Sequence, residues 1–190
     1  MNTLYPGLCL QVIILIFMDT YYTIEEKYLQ AKEELAYGET PKALNLLNEL
    51  ITNDPLYGRA HFQLGKIYYY DLKDYQTAGY HFKTCMEIDP LFSDNYFHYL
   101  SLVVYLKMDK QVNAIATAAL NTPGVQSSSI YELLGLYAEK NKQWDKALDA
   151  YRKAYMEATT KDQLESTEES IARVKLKIRQ SIAYQYTLSG

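Results

Sequence analysis

Residues 128–155, SSIYELLGLYAEKNKQWDKALDAYRKAY, decide the fold, because two apolar helical patterns flank a short polar turn there. Small side chains interrupt the bulky ones at Gly135, Ala147 and Ala154. Small residues at such places let two helices approach closely, and the bulky residues fill the space between them. The stretch therefore predicts a pair of antiparallel α-helices, over about 128–140 and 143–159.

The same pattern recurs along the chain at a nearly regular interval. Four alanines mark it: Ala43, Ala78, Ala114 and Ala147. Pro55 and Pro90 are separated by one such interval, and Gly65 and Gly135 by two. A period of about 34 residues, with helix-forming composition throughout, predicts an all-α solenoid of stacked antiparallel helix pairs.

Local signals place the other helices. Thr23 and Glu26 form a capping box, so a helix is predicted over about 24–37. Gly38 then permits a turn, and Thr40 caps the next helix with Pro41 at its first position, where the missing N–H costs nothing. The same reasoning predicts helices over about 57–71, 74–88, 94–107 and 110–120. No stretch alternates with the two-residue period of a strand.

These units resemble the tetratricopeptide repeat. In the last pair the motif's small positions are taken by Gly135, Ala147 and Ala154 and its aromatic position by Tyr151. The second pair matches with His61, Leu64, Gly65 and Tyr68, then after one inserted residue with Ala78, Phe82, Cys85 and Pro90. The third matches with Phe97, Leu100, Ser101 and Val104, with one extra residue before Ala114.

The resemblance implies a right-handed α-α superhelix. We expect it to form a single domain over 19–186, with repeats at about 24–57, 58–92, 93–124 and 127–160. In this family the first helices line a concave groove that binds a peptide or helix of a partner protein. Carried over by motif position, the groove residues are Tyr28, Lys32, Arg59, Phe62, Lys66, Tyr69, Tyr70, Asn95, His98, Leu102, Tyr105, Glu132, Leu136 and Glu139.

One subfamily binds chaperone C-termini through a two-carboxylate clamp of lysine and asparagine in its first repeat. This chain has Tyr28 and Lys32 at the corresponding positions, and Glu132 in the last repeat. The clamp is therefore absent as a set, and the groove is instead aromatic with scattered charges of both signs. We expect apolar and aromatic anchors to hold the partner, with polar contacts setting its register.

The N-terminal segment 1–18, MNTLYPGLCLQVIILIFM, differs from the rest. The apolar run from Leu8 to Met18 is shorter than the roughly 20 residues that cross a bilayer. No lysine or arginine precedes Lys27, unlike a secretory signal. Three interpretations stay open: an extra helix packed on the first repeat, a weak membrane anchor, or an extension upstream of a natural start at Met18.

The C-terminal residues predict one more amphipathic helix, over about 161–186, followed by a tail at 187–190. Its apolar stripe falls on one helical face: Leu164, Ile171, Val174, Ile178 and Ile182. Such a stripe would cap the exposed apolar edge of the last repeat. The alternative is a seam that pairs two copies into a homodimer.

Composition excludes several functions. The 190 residues carry a net charge of −4, which argues against a general nucleic-acid binder. Two cysteines are too few for a disulfide framework. The eight glycines are too dispersed for a phosphate-binding loop, and the three histidines lack the spacing of a helical zinc site. We therefore expect neither catalysis nor a metal or other cofactor.

The function expected from the sequence is that of a non-catalytic, cytoplasmic scaffold or adaptor that binds another protein. A membrane-associated assembly or secretion factor, tethered or exported through the N-terminal segment, is the first alternative. A structural homo-oligomer formed through the C-terminal helix is the second.

Overall fold

The computed structural model describes residues 24–188, and their side chains as far as residue 181. The apolar segment 1–18, Thr23 of the predicted capping box and the side chain of Ile182 lie outside the described part. Nine helices occupy residues 24–188, and no strand occurs among them. The predicted all-α fold class is confirmed.

The helices follow the predicted order and lie within a few residues of the predicted bounds. They are α1 (24–36), α2 (Thr40–Asn53), α3 (Gly58–Lys66), α4 (Tyr75–Ile88), α5 (Ser93–Tyr105), α6 (Asp109–Leu120), α7 (Ser127–Lys140), α8 (Trp144–Glu157) and α9 (Lys161–Leu188). A π-helical turn, Ile67–Asp71, continues α3. The chain divides between Ile88 and Asp89 into two compact units.

In the first unit, α1, α2 and α3 share one apolar core. Tyr28 and Ala31 come from α1, Leu47 from α2, and Leu64 from α3, all of them buried. Because α3 also packs against α4, it lies between the two second helices of this unit. Each helix buries one stripe, as an amphipathic helix in a layered fold must.

In the second unit, α9 packs against both helices of the last pair. Val174 is fully buried in a core with Ala147 and Tyr151, and Ile171 and Ile178 pack beside it. The part of the α9 stripe from Ile171 to Ile178 is therefore occupied by the chain's own last helix pair.

The four second helices bury the same set of positions. Each buries residues i, i+4 and i+7: Ala43, Leu47 and Leu50 in α2, Ala78, Phe82 and Cys85 in α4, Val112, Ala116 and Ala119 in α6, and Ala147, Tyr151 and Ala154 in α8. Val112 therefore holds the place that we predicted for Ala114, which is exposed. The prediction that Ala114 is the small residue at the helix contact was wrong. The sequence alone does not distinguish an alanine on the solvent face of a helix from an alanine at a close contact.

Hydrogen bonds of the same kind in the second and third repeats establish the register of α5. His61 Nε2 lies 3.1 Å from the Pro55 carbonyl oxygen, and the Tyr96 hydroxyl donates to the Pro90 carbonyl oxygen at 2.8 Å. Since Tyr96 follows Pro90 at the distance along the chain at which His61 follows Pro55, Tyr96 is the equivalent of His61. The third repeat thus has no inserted residue, and the predicted register of α5, based on Phe97, was wrong by one.

The second repeat does contain the inserted residue that the sequence predicted. The π-helical turn absorbs it: the Leu72 amide donates to the Ile67 carbonyl oxygen, five residues earlier, at 3.0 Å. A π-turn closes its hydrogen bond over five residues instead of four, so it accommodates one more residue than an α-helical turn. Gly65 and Ala78 therefore keep their places, although the chain between them is one residue longer than that between Gly135 and Ala147.

Facing side chains within a pair are complementary in size. A Cβ atom added to Gly65 would lie 2.6 Å from ring atoms of Phe82, and one added to Gly135 would lie 2.6 Å from the Tyr151 ring. The third repeat reverses the sizes, with Leu100 and Ala116 at the equivalent places.

The Gly65–Phe82 contact gives a stability prediction. Gly65→Ala should lower the free energy of unfolding by about 1–3 kcal/mol, because the buried ring cannot move away, although alanine regains about 1 kcal/mol of helix propensity. In the double variant Gly65→Ala/Phe82→Leu, the two positions carry the same residues as Ala31 and Leu47 of the first repeat. The smaller leucine leaves space for the new methyl group of alanine. Urea denaturation should therefore show the double variant to be more stable than Gly65→Ala alone. Strictly additive losses would contradict the size argument.

Candidate partner-binding face

The predicted groove residues lie on the outer stripe of the first helices. We call this stripe the first-helix face; in α3 and the π-helical turn that continues it, the face contains Arg59, Phe62, Lys66, Tyr69 and Tyr70. The face is described separately for each compact unit.

In the first unit, two aromatic rings lie beneath two lysines. The Lys32 Nζ is 6.0 Å from the centroid of the Tyr28 ring, and the Lys66 Nζ is 5.3 Å from that of Phe62. Tyr28 and Phe62 are buried, so we correct their assignment as exposed anchors. Their rings support the lysines, which form the accessible part of this face.

An ion pair joins α1 to α3 on the same face. The Arg59 Nη1 donates to Glu25 Oε1 at 3.4 Å, and the Tyr57 hydroxyl donates to Glu25 Oε2 at 2.6 Å. Burial, together with the Glu25 carboxylate, raises the pKa of Tyr57. Arg59 is thus engaged within the chain, and it aligns the two helices.

Two tyrosines stand at the end of this face, where the π-helical turn continues α3. The ring centroids of Tyr69 and Tyr70 are 4.5 Å apart, and the rings of Tyr69 and Phe82 are nearly perpendicular, with 6.4 Å between their centroids. Tyr69 is half-buried, whereas Tyr70 is 41% exposed. Tyr70 is therefore the outer residue of the pair and offers an aromatic surface to solvent.

In the second unit, the shifted register changes which residues of α5 are accessible. Asn95 and Leu102, predicted to line the groove, are both only 1% exposed. Those two assignments were wrong because each motif position on α5 lies one residue earlier than the sequence predicted. His98 is half-buried, and Tyr105 is 52% exposed.

Sequence reasoning assigned Phe97 to the core, yet its side chain is 40% exposed. In the corrected register Phe97 is the equivalent of Phe62, one repeat further along the chain. The repeated spacing from Pro55 to His61 and from Pro90 to Tyr96 was the signal that could have revealed this.

The last helix pair presents its predicted groove acids to α9. Glu132 accepts a hydrogen bond from the Ser166 hydroxyl at 3.0 Å, and Leu136 between the two acids is half-buried. Glu139 is buried and held by both ends of the Arg173 guanidinium, with Nε and Nη2 each 3.0 Å from a carboxylate oxygen. We therefore correct the assignment of Glu139 as a partner contact, whereas Glu132 is half-buried and stays a prediction.

Two further groups complete the shell around Glu139. Lys177 Nζ donates at 2.7 Å, and the Tyr151 hydroxyl donates at 2.8 Å. The hydrogen bonds from Arg173, followed by those from Lys177 and Tyr151, lower the pKa of Glu139 to about 2 despite its burial. A buried carboxylate with this many donors stays ionised and joins α9 to α7 and α8.

A buried histidine pair lies between α3 and α4. The Nδ1 atoms of His61 and His81 are 3.0 Å apart. Since His61 uses Nε2–H to donate to Pro55, its Nδ1 accepts, and His81 donates. Tyr68 stacks on His81, with 5.6 Å between ring centroids. Burial, followed by the neighbouring His61, lowers the pKa of His81 to about 4, and burial lowers the pKa of His61.

Part of the first compact unit matches a known repeat family. The family model described as tetratricopeptide repeat matches residues 28–90, which include the whole of α2, α3 and α4. Residues 28–90 are therefore similar to the tetratricopeptide repeat. No curated protein sequence matches the chain significantly.

Solved structures share the tetratricopeptide fold along most of the chain. PilW, described as a widely conserved type IV pilus biogenesis factor, has a TM-score of 0.70 at 19% identity, covering 83% of this chain and 71% of PilW. For pilF of Pseudomonas aeruginosa the TM-score is 0.69 at 18% identity, covering 86% of this chain and 72% of pilF. For MamA of Desulfovibrio magneticus RS-1 the TM-score is 0.61 at 19% identity, covering 83% of this chain and 96% of MamA. Identities this low show the fold alone.

No helix within residues 24–188 combines the length and the apolar character needed to cross a membrane.

The histidine pair of the second tetratricopeptide repeat predicts acid sensitivity. Because the folded protein resists protonation of His81, stability is complete above the ordinary pKa of about 6.5 and falls as the pH drops towards 4. The loss should reach roughly 2–3 kcal/mol. His81→Asn keeps a donor for His61 without this titration, so urea midpoints between pH 7 and 4.5 should vary less. His98→Asn, which removes the remaining histidine, is the matched control; an unchanged slope in His81→Asn would refute the assignment.

The Glu139 cluster predicts a coupled loss of stability. Arg173→Met should lower the free energy of unfolding by about 1–2 kcal/mol, because a buried carboxylate loses two of its donors. In the Glu139→Gln background, Arg173→Met should lower the free energy of unfolding much less. Urea denaturation of the wild type, the two single variants and the double variant measures the difference. Lys175→Met, an exposed change on α9, is the control. The coupling should vanish as the pH falls from about 4.5 towards 2, where Glu139 becomes protonated in the folded state too. Additive effects at neutral pH would disprove the link.

Proposed function

We propose that this chain is a non-catalytic scaffold that binds another protein through the first-helix faces of its tetratricopeptide repeats. The observation that carries the proposal is an exposed tyrosine at the end of each of two first helices. Tyr70 lies in the π-helical turn that continues α3 and is 41% exposed, and Tyr105 ends α5 and is 52% exposed. Exposed aromatic side chains supply much of the binding energy at protein interfaces.

Phe97 supports the same interpretation. It lies two turns before Tyr105 on the same side of α5, because residues eight apart on a helix differ by only about 80°. Two exposed aromatic residues on one side of a helix do not help solubility, and exposed apolar surface of this kind is typical of interaction sites. Together they suit a partner segment with apolar side chains.

Two titratable groups with large pKa shifts, His81 and Glu139, have partners within the chain. His81 pairs with His61, and Glu139 is held by Arg173, Lys177 and Tyr151. Structural networks of this kind perturb pKa values without any catalytic role. These shifts therefore support a structural role and not acid–base chemistry.

The apolar stripe of the C-terminal helix favours capping over dimerisation. Val174 is fully buried against Ala147 and Tyr151 of the same chain, so this part of the stripe has no free surface to offer a second copy. We therefore do not propose a homodimer through this stripe.

A second candidate function is that of an assembly factor for a cell-surface structure. It is favoured by the fold similarity to PilW, described as a pilus biogenesis factor. Similarity of fold is an analogy, because one fold hosts many functions. The two candidates share the mechanism of protein binding and differ in the identity of the bound protein.

Crosslinking in the native host tests the proposal. A photo-crosslinking amino acid at position 70 or 105 should capture the same partner, whereas one at Tyr37, which is 75% exposed in the turn after α1, should not. Mass spectrometry identifies the partner, and a subunit of a surface structure would favour the second candidate.

The Tyr70→Ala/Tyr105→Ala double variant should weaken binding of that partner at least about tenfold, with an unchanged melting temperature. Tyr37→Ala is the matched control and should bind as the wild type does. Equal capture from position 37, or full binding by the double variant, would refute the proposed face.

A further inference from the structure

The solvent side of α9 carries a second stripe, which shares no residue with the apolar stripe packed on the last helix pair. Its five members are all exposed: Glu165, Glu168, Ala172, Lys175 and Arg179. Their spacings of 3, 4, 3 and 4 residues keep them on one side of the helix, as the a and d positions of a heptad do. We call these five residues the outer stripe of α9.

The charges of the outer stripe are segregated about its centre. The two acidic residues precede Ala172 and the two basic residues follow it, with Glu165 and Arg179 each seven positions away. The helix dipole favours acids near a helix start and bases near its end, but this effect is confined to the first and last turns. Glu168 and Lys175 lie more than one turn from either end of α9, so the dipole does not account for them.

Within one chain this order of charges costs the helix some stability. Residues three or four apart are neighbours on a helix, so the two glutamates repel each other, and Lys175 repels Arg179. Among residues 24–181, no opposite charge lies within ion-pair distance of Glu168, Lys175 or Arg179. Glu165 has the exposed Lys161 at 3.2 Å. A partner with the reverse order of charges would offset this repulsion.

We infer that the outer stripe pairs with the outer stripe of a second copy of this chain, with the two α9 helices antiparallel and a two-fold axis at Ala172. The reverse order of charges is then supplied by the same sequence: Glu165 faces the partner subunit's Arg179, and Glu168 faces the partner subunit's Lys175. The two-fold axis makes each of these contacts twice. A parallel pairing would instead set like charges against each other.

The centre of the outer stripe also suits a helix contact. Alanine at position 172 lets two helices approach closely, and Leu176, one turn later and 55% exposed, adds apolar area beside it. Because this side of α9 is not the side that caps the last helix pair, capping and pairing occur together. Exposed ion pairs are individually weak, so the dimer should form at high protein concentration and dissociate as salt is added.

Charge reversal of the full chain, followed by mixing, tests the inference. Glu165→Lys/Glu168→Lys makes the outer stripe basic throughout, and Lys175→Glu/Arg179→Glu makes it acidic throughout. Each variant alone should self-associate at least about tenfold more weakly than the wild type, because like charges would meet across the interface. An equimolar mixture of the two should form a heterodimer, and a chain with all four reversals should dimerise again. Sedimentation velocity over a series of concentrations measures all of these.

Glu33→Lys/Glu157→Lys reverses two exposed charges elsewhere, and this control should dimerise as the wild type does. Melting temperatures equal to that of the wild type at low concentration would show that the reversals do not unfold the chain. A wild type that is monomeric throughout the concentration series, or a mixture no more associated than either variant alone, would overturn the inference. Neither result touches the scaffold role, which crosslinking from positions 70 and 105 tests separately.

Discussion

Close approach of the two helices in each pair is the constraint on which the rest of the structure depends. Gly65 gives room to Phe82, and Gly135 gives room to Tyr151, with no space for even one more carbon atom. What each pair needs is a total volume and not a particular residue, since interiors are filled to a fixed density. The third repeat meets the same need with Leu100 on the first helix and Ala116 on the second.

This exchange of sizes explains which parts of the fold the sequence could predict. The all-α class, the helix pairs and the extra residue of the second repeat followed from periodicity, glycine and proline. The register of the third repeat did not, because its marker, Ala114, is exposed while Val112 takes the close contact. A motif that looks for small residues at fixed positions is misled wherever the small residue has moved to the other helix.

The candidate site could be predicted less well, for a related reason. Position in a repeat specifies the side of a helix but not what covers that side. Tyr28 and Phe62 stand at groove positions, yet their rings lie beneath lysines that follow one turn later. Glu139 also stands at such a position, and α9 covers it with Arg173 and Lys177. Only coordinates bring together residues so far apart along the chain.

The same repeat geometry places charges as well as apolar groups, and charge reports function more directly than packing does. A buried carboxylate such as Glu139 requires several donors, so its network serves the fold and would be destabilised by a partner that competed for them. Lys32 and Lys66, which lie over the rings of Tyr28 and Phe62, carry no such requirement. Their ammonium groups add nothing to the core. Side chains that the fold does not need, at equivalent places in successive repeats, are the ones best free to contact a partner.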